Sequence, residues 1–178
     1  MSRRKDRKRR RDRDTFAVPR PADPPHPAVL ALSEKHGPPK VDLRQAELRD
    51  GIGFNTGGYA KRPIAHGRPW CVSRADLDYY PRVFSFMLDE PASLLFYLYP
   101  VALEHARDAQ LEATDSLLYT LDTALPELLP LMDDADRAAF AEGLVWIHDA
   151  HGPDDAPFRQ CPNLVPLLRA ERAAAADR

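Results

Sequence analysis

Apolar positions cluster unevenly along this chain, and their spacing cuts it into helical stretches separated by proline and glycine. The densest block is Phe84 to Ala106, FSFMLDEPASLLFYLYPVALEHA. Asp89, Glu90 and Pro91 supply a start signal inside it, with an acid at the cap and proline in the first turn. From there Leu94, Leu95, Leu98, Ala102 and Ala106 share one helical face. Phe96, Tyr97 and Tyr99 widen the apolar girth, so burial on more than one side is expected. Pro100 is expected to bend this helix, which the pattern makes the centre of the fold.

The flanking stretches repeat the same period. Ser73 and Asp76 form a capping-box pattern that opens LDYYPRVFSFML, where Leu77, Tyr80, Phe84 and Met87 or Leu88 recur at helical spacing and Pro81 kinks or splits the segment. Thr114 or Asp115 is the expected cap of a helix carrying Leu117, Leu118, Leu121 and Leu125, broken by Pro126 and Pro130. Asp133 is the expected cap of the next, with the stripe Ala139, Phe140, Gly143, Leu144 and Ile147 and a stop at Gly152-Pro153. A last helix runs from Leu164 to Ala176, capped by Asn163 and anchored by Leu164, Leu167 and Leu168. Alternating β-branched patterns are missing, as is any internal repeat. The prediction is an all-α fold, a small irregular helical bundle with a long N-terminal extension.

That extension divides by composition. Residues 1–14, MSRRKDRKRRRDRD, read as a disordered basic arm. Residues 15–50 read as a Pro-rich connector with short helices, at Ala28–His36 and Val41–Asp50. Residues 51–72 read as a Gly/Pro loop, and residues 73–178 as the α-helical domain. Within the loop, Gly53 and Gly58 have the spacing of the first half of a P-loop. Tyr59 stands where the phosphate-binding lysine belongs, so no nucleotide site is assigned.

Charge separates the arm from the rest. The 178-residue chain has 25 Lys plus Arg and 27 Asp plus Glu, for a net charge of −2. The arm holds nine of the cations (Arg3, Arg4, Lys5, Arg7, Lys8, Arg9, Arg10, Arg11 and Arg13) against three acids, a net of +6 that leaves −8 on the body. The nine cations are the candidate polyanion-binding residues, suited to salt-sensitive, sequence-independent contact with nucleic acid. An acidic body disfavours nucleic acid elsewhere and suits a protein partner. Two cysteines, Cys71 and Cys161, supply neither a disulfide framework nor a metal spacing. Without an apolar segment long enough to span a membrane or act as a secretory signal, a cytoplasmic setting is expected. The dominance of Arg over Lys, with abundant Ala, Pro and Asp, suggests a GC-rich bacterial genome.

Candidate chemistry is sparse. His148, Asp149 and His151 sit at a helix C-terminus where an acid–base or metal cluster can form, with His105 or Glu104 as a third ligand from elsewhere. Imidazoles there also complement the helix dipole without further function. Asp133, Asp134 and Asp136 read first as helix capping and dipole complementation, and only second as a Mg²⁺ motif. No catalytic residue, metal ligand or cofactor is assigned.

Two segments together resemble a known group. FMLDEPASLLFYLYPVALEHA is similar to F-L-(S/T)-P/D-E-x-x-x-x-Y-x-L-P-x-x-L, and LMDDADRAAFAEGLVWIHDA to L-(S/T)-x-x-Q-x-x-A-(V/I)-x-x-F-L-x-(W/Y)-(L/I). Both occur in this order in a group of short uncharacterised bacterial helical proteins, some of them immunity- or accessory-like. The resemblance spans about residues 73–150 and implies an all-α fold and a binding role. Tyr99 departs from the usual leucine before Pro100, and Asp136-Arg137 from the usual Gln. The functional expectation is a non-enzymatic binding or accessory protein, with a small metal-dependent hydrolase using His148, Asp149 and His151 as the alternative.

Overall fold

The computed structural model describes residues 19–50, 67–151 and 156–176. The basic arm, most of the Gly/Pro loop and the Gly152-Pro153 stop lie outside the described residues. Among the described residues seven α-helices follow in order: α1 (Pro27–Lys35), α2 (Leu43–Asp50), α3 (Arg74–Tyr79), α4 (Ala92–Arg107), α5 (Glu112–Leu128), α6 (Asp134–His151) and α7 (Leu164–Ala176). Short 3-10 turns lie at Pro69–Cys71, Phe84–Met87, Leu129–Leu131 and Ala156–Phe158. Among the described residues there is no strand, and the fold is all-α. None of the described helices is long and apolar enough to cross a membrane.

Helix α4 is the axis of the bundle, with α1, α5 and α6 packed around it. Every residue from Ser93 to Ala102 is buried, which is why this helix is apolar on all sides rather than along one stripe. Its start differs from the expectation. Pro91 occupies the cap position without a side-chain hydrogen bond. The acids before it face outward: Asp89 pairs with Arg49 and Glu90 with Lys40, tying the start of α4 to α2 and the turn before it.

The segment read as a connector is built into the core. In α1, Val29, Leu30, Leu32 and Ser33 are buried, and in α2 Leu43 and Ala46 are fully buried. Asp42 and Gln45 form a reciprocal cap on α2, and the Leu43 N–H donates to the buried Tyr97 hydroxyl at 3.2 Å. Ser33 does more than fill space. Its hydroxyl donates to the Leu95 carbonyl at 2.8 Å and accepts from the Tyr99 N–H at 3.2 Å. Those are the two groups an α-helix joins directly, in the turn that runs up to Pro100. The inserted hydroxyl therefore braces α4 next to its proline. Ser33→Ala is expected to leave two buried backbone groups short of this partner and to lower stability by about 2 kcal/mol, read from the urea midpoint. A midpoint equal to the parent's would show that α4 closes this turn unaided.

Two other expectations are corrected. Helix α5 starts at Glu112, so Thr114 and Asp115 both lie inside it rather than capping it. The helix also runs through Pro126 to Leu128 instead of breaking there. Proline at 126 has no N–H for the Asp122 carbonyl one turn back, and the Asn163 side-chain amide donates to that carbonyl at 3.3 Å instead. Asn163 is thus a donor to α5 and not the acceptor that caps α7. The acceptor is the Asp122 carboxylate, which takes the N–H groups of Asn163 and Leu164 at 2.7 and 2.8 Å.

Other signals act locally, as expected. Ser73 and Asp76 form the capping box of α3. Asp136 N–H donates to Asp133 at 2.9 Å and Asp133 N–H to Asp136 at 3.3 Å, and Lys35 of α1 pairs with both carboxylates. The stripe Ala139, Phe140, Gly143, Leu144 and Ile147 is buried. A Cβ on Gly143 would stand 2.9 Å from Leu98 and 3.3 Å from Val29, so this glycine lets α1, α4 and α6 meet closely. His26, just ahead of α1, stacks on Trp146 at 4.3 Å and bonds Glu142 at 2.8 Å.

Candidate binding cleft

The sequence places Val165, Leu168, Arg169 and Arg172 at i, i+3, i+4 and i+7, one stripe of α7 that starts apolar and ends cationic. Its first turn is fixed to α5 through Asp122, and buried Leu164 and Leu168 seat it on the bundle. The turn Ala156–Phe158 brings the buried Phe158 ring against His148 of α6, with centroids 6.1 Å apart. Between these elements lies an open cleft of about 420 Å³. Phe158, Val165 and Leu168 contribute its apolar lining, and His148, Arg159, Arg169 and Arg172 its polar lining.

His148 is almost fully buried. Its Nδ1 lies 3.2 Å from the Asp149 carboxylate. The Arg172 Nη1 lies 3.3 Å from Nδ1 and 3.4 Å from Nε2. Near-equal distances put the guanidinium over the ring rather than in line with one lone pair, so the imidazole supports Arg172 at the cleft edge.

No family model matches this chain, and no curated protein or solved structure matches it either.

His148 and His151, neighbours on one helix, turn to different partners. His151 lies nearly parallel to His105 of α4, at 5.7 Å between centroids and 7° between planes. The Thr114 hydroxyl reaches His105 Nδ1 at 3.0 Å, which is what that residue does inside α5. Burial first, and then the neighbouring His151, lowers the His105 pKa to about 4. Burial likewise raises the Asp115 carboxyl. Glu104, the other candidate third ligand, pairs with Arg107. Among the described residues, no group of three or more His, Cys, Asp or Glu side chains is arranged to hold a metal ion.

The remaining candidates have structural partners. Asp133 and Asp136 cap α6 and hold Lys35. Cys161 is buried, and burial together with the Asp122 and Asp115 carboxylates pushes its thiol up to about 12, far from the thiolate a nucleophile requires. Tyr80, Phe84, Phe96, Tyr97 and Tyr99 are core residues, each at most 1% exposed. The nine arm cations lie outside the described residues. Sequence reasoning missed the cleft because it read the last helix only through its anchors Leu164, Leu167 and Leu168 and gave its cations no role. The available signal was the placement of Arg169 and Arg172 on the face that carries Val165 and Leu168.

Proposed function

We propose that this is a non-enzymatic binding or accessory protein whose helical body engages a protein partner, with the basic arm adding contact to polyanions. The observation that carries this reading is the α6–α7 cleft, an open concave surface that joins apolar and cationic groups. The side chains suited to catalysis support it from the other direction, since His148, His151, Asp133 and Asp136 are engaged in packing, capping and helix contacts. The resemblance of residues 73–150 to short bacterial accessory-like proteins, and a cytoplasmic bacterial setting, belong to the same proposal.

The tagged full chain is expected to retain one protein in near-stoichiometric amount when purified from its native source at about 0.15 M salt. It is also expected to take up no stoichiometric Zn²⁺ or Mn²⁺. Recovery of the chain alone would overturn the binding reading, and tight metal uptake abolished by His148→Ala with His151→Ala would favour the hydrolase. For the arm, deletion of residues 1–14 is expected to remove retention on immobilised DNA at low salt, since +6 of charge goes with it. Unchanged retention would take the polyanion role away from the arm.

A further inference from the structure

The cleft has a chemistry of its own that narrows the partner. Resting on the reading of the body as a binding module, we propose that the α6–α7 cleft receives an acidic peptide segment of the partner, with an apolar side chain seated between carboxylates. The helical stripe of α7 sets this order. Val165 and Leu168 offer carbon surface, and Arg169 and Arg172 follow on the same face one turn further along. Phe158, from the turn before α7, completes the apolar lining. Guanidinium groups bind carboxylates through two parallel N–H donors, which fixes orientation as well as charge. Arg172 is held for this by the His148 ring beneath it, itself bonded to Asp149.

Charge contrast selects the partner's sign. Outside the arm the chain carries −8, so an acidic segment is repelled by the body as a whole and attracted where Arg169 and Arg172 line the cleft. A volume of about 420 Å³ is in the range of pockets that take a few side chains rather than a whole helix. The cleft is also open at the surface, so an extended segment can enter without displacing core residues.

The test is fluorescence anisotropy of labelled peptides with the full chain at about 0.05 and 0.2 M salt. One peptide alternates Asp or Glu with Leu, a second replaces the acids by Asn and Gln, and a third replaces Leu by Ser while keeping the acids. The arm also attracts acidic peptides in every variant, so the cleft is read from the part of the binding that is lost in the chain carrying Arg169→Glu and Arg172→Glu, with the same pair compared in chains lacking residues 1–14. Expected is tightest binding of the acidic–apolar peptide, weakened at least tenfold by the double substitution and several-fold by Arg169→Glu alone. The single variant leaves the Arg172–His148 contact in place and guards against a folding defect, which circular dichroism checks. Equal binding by the parent and both variants would overturn the proposal, as would equal affinity for the Ser-containing peptide or full competition by single-stranded DNA of the same charge. If the native partner still copurifies with the double variant, the cleft assignment falls while the binding reading stands. If no partner copurifies with the parent, the reading itself falls.

Discussion

Asp122→Ala is expected to be among the most destabilising single changes in this chain, costing about 3 kcal/mol. The carboxylate is 6% exposed and accepts the backbone N–H groups of Asn163 and Leu164, together with the Asn163 side-chain amide at 3.1 Å. These N–H groups sit at the start of α7, where no carbonyl of the same helix can serve them. Removing the carboxylate leaves them without this acceptor, at about 1–3 kcal/mol each when buried, and it removes a negative charge from the positive end of the helix dipole. Part of the cost is relieved if α7 lifts and water reaches the exposed amides. Asp122→Asn keeps one acceptor oxygen and is expected to lose about half as much. Urea unfolding would give the stability change, and hydrogen exchange would locate it. Amides of Asn163 to Val165 should exchange faster than those of α4. A variant with parental stability and unchanged α7 protection would mean that Asn163 or solvent caps the helix well enough alone.

The same residue shows why only part of this fold can be read from the sequence. Asp133 and Asp136, or Ser73 and Asp76, satisfy helix starts within four residues, so pattern and structure agree there. Asp122 serves a helix start 41 residues away, and nothing near Asn163 announces it. Pro126 misleads for a related reason. Read locally it ends α5, but the carbonyl it leaves unpaired is met by Asn163 from the other end of the same junction. Helix α1 is a third case. A short segment flanked by prolines reads as connector, but Val29, Leu30 and Leu32 are buried in the core and Ser33 reaches into α4, a contact across 66 positions to Tyr99. The candidate site follows the same rule. His148 was legible as a polar group near a helix end, but its neighbour Arg172 comes from a separate helix 24 positions further along. What is missed in each instance is a polar group whose partner is supplied by tertiary packing.

Stability is expected to fall as pH drops from about 6.5 towards 4, and His105 is the principal cause. In the unfolded chain its imidazole protonates near 6.5, while in the folded protein the pKa is about 4. The ring is 2% exposed, with His151 stacked beside it, Thr114 bonded to Nδ1 and the Asp108 carboxylate only partly offsetting the loss of solvent. Between the two pKa values the unfolded state binds a proton that the folded state does not, so stability rises with pH across that window and is lost on acidification. The full difference corresponds to about 3 kcal/mol, most of it lost by about pH 4.5. His36, whose pKa burial also lowers, acts in the same direction. Asp115 opposes them, because a carboxyl raised by burial favours the folded state once protonated. His105→Phe keeps a ring beside His151 but removes the titration, so it isolates the His105 share. Urea midpoints at about pH 7 and about pH 4.5 are expected to differ markedly for the parent and much less for His105→Phe. An equal acid-induced drop in both proteins would assign the effect to other groups and show that the His105–His151 stack is not what makes this fold acid-sensitive.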